Sequence, residues 1–323
     1  MKKSVIVSLI VGCGVATFAA TASLAQNVQV TPLGGITGEF CRLDRAILFE
    51  DPDGTRILYD AGMTVAGADD PRLGSLDALL VTHMHGDHIG ARHNSAVDAG
   101  ECGKPDLSVA ATPETNVAKI AHAKGAVIVT GSEMPPFFAA KLAGLGGDPK
   151  KSVLARFGGT YTLGGVGIST VPAVHSNGVV PALIGGEMGE AMEAAGIAGY
   201  VGPPTGYILR FSNGLVAYLS GDTGMTAEQE IVVRGFYGAD LVVINIGDTF
   251  TTGPVEAAYV VNELVQPKSV IPSHANEEAT KDGKVIEGTR TAAFRDLATM
   301  PVHIPLSGQT MEFDSEGNCV AGC

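Results

Sequence analysis

From Phe40 onward, short apolar runs of β type alternate with stretches of helical character. Ala46 to Glu50 and Arg56 to Tyr59 flank Asp51-Pro52-Asp53-Gly54, a turn signal that joins them as a hairpin. Asp77 to Thr82 has the continuous apolar pattern of a buried strand. Leu107 to Thr112 predicts a strand, Pro113 to Ala123 a helix and Ala126 to Thr130 a strand. Glu133 to Arg156 predicts helix in pieces, broken at Gly144, Gly146, Gly147 and Pro149. Gly167 to Val174, Gly206 to Phe211 and Leu215 to Ser220 are predicted strands, the last two closed into a hairpin by Ser212-Asn213-Gly214. Helices follow over Thr226 to Phe236, Pro254 to Leu264, where the proline suits a helix start, and Thr289 to Thr299. Leu241 to Ile246, Ser269 to Ser273, Val302 to Pro305 and Thr310 to Phe313 complete the predicted strands.

Both halves of the chain run from antiparallel hairpins into alternating strand and helix units. That order predicts an α/β fold with two mixed sheets packed together and helices outside. No linker or low-complexity tract interrupts it, so residues 26–323 read as one domain. Asn177 to Thr205 departs from the pattern. It is rich in glycine and proline around a short helix-like piece, Glu187 to Ala195, and reads as an inserted loop or lid.

The first 25 residues have a different composition: Lys2 and Lys3, an apolar run from Ser4 to Val15, then small residues to Ser23-Leu24-Ala25. This is the pattern of a secretory signal peptide cleaved after Ala25, and it is too short for a membrane-spanning helix. Ile10-Val11-Gly12-Cys13 loosely resembles a lipobox, which leaves lipidation at Cys13 as an alternative. The reading implies export to the bacterial periplasm or beyond, with no stable membrane span. Setting aside Lys2 and Lys3, 19 basic side chains face 34 acidic ones, a formal charge of −15. Such a surface repels phosphate backbones and argues against a nucleic-acid partner. Cleavage would leave Cys41, Cys102, Cys319 and Cys323, whose three possible pairings sequence cannot rank decisively; a bridge from Cys102 to the C-terminal pair is the working expectation. Metal binding by Cys319 and Cys323 is disfavoured because no histidine lies near them in the chain. Nothing in the sequence fixes an oligomeric state.

Against this background, Val81-Thr82-His83-Met84-His85-Gly86-Asp87-His88 places three of the chain's eight histidines within six positions. On an extended segment residues two apart share a side, so His83 and His85 can face one ion. Gly86 then turns the chain, and Asp87 and His88 face a second point. A centre for two ions needs further ligands, and three strand ends offer them: His175 in Val-Pro-Ala-Val-His-Ser, Asp222 in Tyr-Leu-Ser-Gly-Asp-Thr-Gly, and His274 in Val-Ile-Pro-Ser-His-Ala-Asn. Strand ends are where side chains of layered α/β proteins reach a common cleft.

The set His83, His85, Asp87, His88, His175, Asp222 and His274 resembles the metallo-β-lactamase-fold hydrolases in order and context. Within that superfamily, Gly-Asp-Thr-Gly at 221–224, the stretch from Asn245 to Leu264 and Val-Ile-Pro-Ser-His at 270–274 are most similar to the metal-dependent hydrolase branch that also holds ascorbate-phosphate lactonase-type enzymes. The resemblance implies a four-layer αβ/βα sandwich and two divalent cations, with Zn²⁺ favoured over Mn²⁺ or Fe. It implies that His83, His85 and His175 hold one ion, that Asp87, His88 and His274 hold the other, and that Asp222 bridges them. The nucleophile would be a water deprotonated between the cations, with Asp87 and Asp222 as the catalytic carboxylates. Asp60 matches the family's acidic residue ahead of the histidine motif and would orient a ligand imidazole, or else simply end a strand. Asp248 is expected to cap the helix near Pro254 rather than donate a proton in the cleft.

The remaining side chains have ordinary expectations. His93, His122 and His303 are read as structural or surface residues, and Met84 as packing. Ser176 and Asn177 would contact substrate or make turns. The function implied is an exported dinuclear hydrolase of a small ester or lactone. A phosphodiesterase with the same metals, or an exported metal-binding protein without turnover, stands as the alternative. The preference for an ester or lactone rests on the acidic charge and the apolar segment Val179 to Ile184. Zinc β-lactamases and flavin-linked diiron reductases match less well, the latter because His85 stands where they carry an acidic residue.

Overall fold

The computed structural model describes Met1 and residues 27–323. The predicted signal peptide and Cys13 lie outside the described residues. Two large sheets form the body. One holds eight strands, in the spatial order Ser152–Leu154, Val127–Thr130, Ala78–Val81, Arg56–Tyr59, Ile47–Glu50, Val28–Pro32, Met311–Phe313 and Cys319–Ala321. The other holds six, in the order Thr160–Leu163, Val166–Pro172, Thr205–Arg210, Val216–Leu219, Leu241–Asn245 and Ser269–Ser273. Both are mixed. Hairpins such as Ile47–Glu50 on Arg56–Tyr59 are antiparallel. The strands that alternate with helices, Arg56–Tyr59 on Ala78–Val81 and Val216–Leu219 on Leu241–Asn245 on Ser269–Ser273, are parallel.

Strand periodicity explains why these runs are apolar throughout. Ile57, Tyr59, Ala78 and Leu80 face Tyr207, Leu209, Ala217, Leu219, Leu241 and Val243 in the core between the sheets. Their neighbours Leu58, Leu79 and Val81 point the other way, onto Asn116–Lys124 and Met134–Gly144. On the second sheet Val216, Tyr218, Val242 and Ile244 pack against Gln229–Tyr237 and the helices that start at Pro254 and Arg290. Three apolar layers alternating with backbone layers make the four-layer αβ/βα sandwich. Both faces of each central strand are buried, so no polar alternation survives in its sequence.

Several elements differ from their sequence expectation. Val28–Pro32 is a strand ahead of the first patterned segment and pairs with both Ile47–Glu50 and Met311–Phe313. Ser152–Leu154, expected within a helical stretch, is an edge strand beside Val127–Thr130. Thr160–Leu163, not anticipated, is the edge strand of the second sheet. Leu107 to Thr112 contributes only Val109–Ala110, paired with Arg92–His93 outside the large sheets. Val302 to Pro305 makes a single bridge, Val302 to Val270. These segments are short or at edges, where periodicity has too few residues to register. The 177–205 insert contains helices Pro181–Ile184 and Gly186–Ala195 between the paired strands Gly178–Val179 and Gly199–Tyr200. Cysteine pairing also departs from expectation: Cys41 bonds Cys102, and Cys319 bonds Cys323. Among the described residues, no helix is long and apolar enough to cross a membrane.

Candidate metal centre

Strand Ala78–Val81 ends at the histidine motif. His83 and His85 leave it on one side, their ring centroids 4.4 Å apart. The single helical turn Gly86–Ile89 reverses the chain so that the His88 ring returns to 4.2 Å from His83. Gly90 ends that turn with φ at 69°, and a Cβ there would lie 2.4 Å from the Asn116 Cβ, so only glycine fits.

Three further strand ends deliver the other candidates. His175 follows Val166–Pro172, Asp222 follows Val216–Leu219, and His274 follows Ser269–Ser273. Asp222 Oδ2 stands 3.0 Å from His274 Nε2, 3.3 Å from His88 Nε2, 3.7 Å from His175 Nε2 and 3.8 Å from His83 Nε2. His274 Nε2 is also 3.4 Å from Asp87 Oδ2. One group of ligand atoms, from His83, His85, His175 and Asp222, lies mutually within 4.8 Å, and so does a second from Asp87, His88 and His274. All seven side chains chosen from sequence therefore converge, in the two groups expected, with the Asp222 carboxylate between them. Thr223 secures the approach: its hydroxyl accepts from Val174 N at 3.0 Å and its carbonyl from Thr252 N at 3.2 Å.

Ligand imidazoles need a fixed tautomer, and one buried carboxylate fixes two. Asp60 is fully buried, with φ at 37°. Its Oδ2 receives His88 Nδ1 at 2.7 Å, which leaves the His88 Nε2 lone pair free. The same oxygen accepts the Thr82 hydroxyl at 2.8 Å, and that hydroxyl in turn accepts from His83 Nδ1 at 3.0 Å, freeing His83 Nε2. Asp60 thus acts as a positioning group for one histidine in each ligand group, and its strand-end role is secondary. His85 uses its other nitrogen: Nε2 meets the exposed Ser176 hydroxyl at 3.2 Å while Nδ1 faces His175 Nε2 at 3.2 Å.

Asp87 is positioned by Arg45, a residue the sequence did not single out. The nearly inaccessible guanidinium reaches Asp87 Oδ2 from Nη2 at 3.2 Å and from Nε at 3.3 Å, and donates to Asn276 Oδ1 at 2.7 Å. His274 and Asn276 both occupy left-handed backbone, with φ at 50° and 57°. A Cβ on Gly247 would sit 2.3 Å from the His274 carbonyl oxygen, so glycine is required beside this turn. Strain of this kind persists where surrounding structure over-determines it.

The electrostatics suit cations. Burial pushes the His83 imidazole well below its ordinary value and lowers His85 and His175 as well, favouring neutral, lone-pair-bearing rings. Burial opposes the His88 cation too, but Asp222, Asp60 and Asp87 outweigh it and raise His88 well above the usual range, so a metal cation at Nε2 would take the place of the proton these carboxylates otherwise favour there. Burial alone would raise Asp222, yet His88 and His274 hold it well below the ordinary carboxylate value. Asp87 is lowered likewise, by His88, His274 and Arg45 against its burial. Buried His83 Nε2, His88 Nε2 and Asp222 Oδ1 have no hydrogen-bond partner among the described residues. Orphaned buried acceptors facing one another are costly unless something electropositive joins them. Imidazole nitrogens and carboxylates are the donor set of divalent transition metals, so these residues fit the implied group.

The other sequence candidates resolve as follows. Asp248 does not cap the helix at Pro254, whose N-cap Gly253 has no side-chain bond. Its carboxylate accepts from Thr249 N at 2.7 Å, closing its own turn in left-handed backbone at φ 55°. Asn177 is buried and makes structural bonds, accepting from Met84 N at 2.9 Å and donating to the Gly202 carbonyl at 2.9 Å. Met84 is packing, as expected. His93 is buried against the Asn94 carbonyl at 2.8 Å, and His122 is exposed on its helix. No histidine lies near Cys319 and Cys323 in the chain, but the fold brings His303 close to both. Val179 and Leu183 of the insert are buried in the layer beneath it, while Val180 and Ala182 between them are exposed. Arg45, Asn276 and Thr82 were missed. Only Thr82, directly before the first histidine, carried any positional signal.

A beta-lactamase superfamily domain model matches residues 55–275. A UPF0173 metal-dependent hydrolase of Thermodesulfovibrio yellowstonii is 29% identical over 325 residues, covering 97% of this chain and 100% of its own. Another, from Chloroflexus aurantiacus, is 30% identical over 260 residues, covering 78% and 84% respectively. Among solved structures, Igni18, a metallo hydrolase from Ignicoccus hospitalis, superposes with a TM-score of 0.54 at 21% identity over 89% of this chain and 99% of its own. The metallo-beta-lactamase fold protein YhfI of Bacillus subtilis gives 0.54 at 15% identity over 88% and 99%. At those identities the superpositions establish the fold. The chain belongs to the beta-lactamase superfamily, among its metal-dependent hydrolases.

Proposed function

We propose that this protein is an exported dinuclear hydrolase that cleaves a small carboxyl ester or lactone. The observation that carries the reading is the placement of Asp222 Oδ2 within 3.0–3.8 Å of the Nε2 atoms of His83, His88, His175 and His274, two from each ligand group. His83, His85 and His175 would hold one cation, Asp87, His88 and His274 the other, with Asp222 shared. Divalent cations, Zn²⁺ in the first instance, would supply Lewis acidity and lower the pKa of water enough to furnish a nucleophile near neutral pH.

The chain's own residues do the positioning. Asp60 and Thr82 hold two imidazoles as Nδ1–H tautomers. Arg45 holds Asp87, whose side chain remains 26% exposed and is the carboxylate placed to orient an incoming water. A cleft of about 360 Å³, which includes Val174 next to His175 in the chain, is lined by the exposed apolar side chains of Val174, Met225 and Phe250 together with Asp248, Glu256, Thr249, Thr251 and Thr252. The three apolar side chains within this otherwise polar lining offer contact to an acyl or lactone ring, and the two acids repel a phosphodiester. Export rests on the N-terminal pattern of residues 1–25.

The test is to load purified apoprotein with Zn²⁺ or Mn²⁺ and screen lactones, aryl esters and bis-aryl phosphodiesters. Hydrolysis of the first two classes with two bound equivalents supports the proposal. Preference for the phosphodiester overturns the substrate class. Two bound equivalents with no turnover of any class overturn the enzyme reading in favour of a binding protein.

A further inference from the structure

A second set of ligand atoms lies away from the cleft, where the open edges of the two sheets meet. Cys319 begins the last strand of the eight-stranded sheet and pairs in register with Phe313. His303 is tied to the other sheet: its backbone N–H donates to the Val270 carbonyl at 2.8 Å, on the edge strand Ser269–Ser273. The His303 ring packs edge-on to Phe313, the residue that Cys319 pairs with, with centroids 5.5 Å apart. A ring nitrogen of His303 and the sulfurs of Cys319 and Cys323 all lie within 4.8 Å of one another. His303 Nε2 is buried and has no hydrogen-bond partner among the described residues. The imidazole that offers a ring nitrogen to the two sulfurs thus also carries a buried nitrogen with no partner to satisfy it.

We infer that Cys319, Cys323 and His303 form a redox-gated site for one thiophilic cation of the Zn²⁺ or Cu⁺ class, bridging the edges of the two sheets. In the oxidised chain the two cysteines form a disulfide and offer no thiolate. A dithiol reductant closes the gate's other state: two electrons cleave the Cys319–Cys323 bond, the reductant becomes a disulfide, and two cysteine thiols result. Binding the cation releases both thiol protons and recruits a ring-nitrogen lone pair of His303, giving a three-ligand set with a fourth position open to water. Soft sulfur ligands distinguish this site from the nitrogen and oxygen donors of the main centre. Because one ligand belongs to each sheet edge, with Cys323 just beyond, the bound cation acts as a clasp.

That difference in donor atoms provides the test. Full-length protein is titrated with Co²⁺, oxidised and after treatment with a phosphine reductant, while near-ultraviolet thiolate-to-cobalt charge transfer is recorded. Histidine and carboxylate ligands give no such band, so the main centre is silent. The reduced protein is expected to show the band saturating at one equivalent, with a raised melting temperature, and the oxidised protein none. Cys319→Ser with Cys323→Ser should abolish the band while Cys41 and Cys102 remain. His303→Ala should weaken cobalt binding by at least about tenfold, since losing even a group that only orients a ligand costs that much. Absence of the band in reduced wild type, its persistence in the double serine variant, or unchanged affinity in His303→Ala would each overturn the inference.

Discussion

The two ligand groups of the candidate metal centre are built from similar donors but braced differently. In the half formed by Asp87, His88 and His274, two of the three ligands have buried supports, Asp60 on His88 at 2.7 Å and Arg45 on Asp87 at 3.2 Å with Asn276 behind it at 2.7 Å, while the buried His274 Nδ1 has no hydrogen-bond partner among the described residues. In the half formed by His83, His85 and His175, only His83 has a buried support among the described residues, through Thr82. His85 leans on the exposed Ser176, and His175 follows the exposed Val174 at the rim of the cleft. A brace in a dry interior holds geometry because no water competes for it, whereas an exposed one is readily replaced. The comparison implies one half fixed by the fold and one half able to adjust as substrate enters.

Breaking what the halves share gives the largest effect. Asp222→Ala removes the carboxylate whose Oδ2 lies within 3.0–3.8 Å of histidines from both ligand groups. Turnover of any ester or lactone the protein cleaves should fall below detection and bound metal should drop under two equivalents by elemental analysis, with an unchanged far-ultraviolet circular dichroism spectrum. Retained activity would mean that the halves work without a bridge. Asp60→Ala comes next, because it frees His88 directly and His83 through Thr82. Metal affinity should fall about 10–100-fold, measured by chelator competition, and both binding steps should weaken. Weakening of one step alone would show that the Thr82 relay carries nothing.

The sequence disclosed donors better than supports. His83, His85, Asp87 and His88 were legible because ligand spacing on one short segment is local, and His175, Asp222 and His274 because each follows an apolar strand. Asp60 was visible only as one of two equal readings, since a strand-end aspartate looks the same whether it turns the chain or orients an imidazole. Arg45 and Asn276 were not visible: they are 231 residues apart, and their bond exists only once the two sheets pack. The central strands announced themselves by burial on both faces, as in Leu241–Asn245. Thr160–Leu163 and Ser152–Leu154, partly exposed at sheet edges, did not. Asp248 shows the opposite failure, a sound capping pattern displaced by a turn that closes on itself.

Two smaller substitutions separate the halves. Thr82→Val removes the hydroxyl that links Asp60 to His83 while Asp60 keeps its direct bond to His88. One metal-binding step should weaken about tenfold and the other stay within about twofold, because the loss confines itself to an imidazole whose Nδ1 is left unsatisfied. Ser176→Ala should do least. Its hydroxyl meets His85 Nε2 at 3.2 Å in an exposed position, so water takes its place once the side chain is shortened. Such an exchange costs about 0.5 kcal/mol or less, about twofold in metal affinity. KM and kcat for a cleaved ester should likewise move by no more than about that factor. A tenfold loss instead would show that His85 is held as firmly as His88, and the distinction between a fixed and an adjustable half would fail.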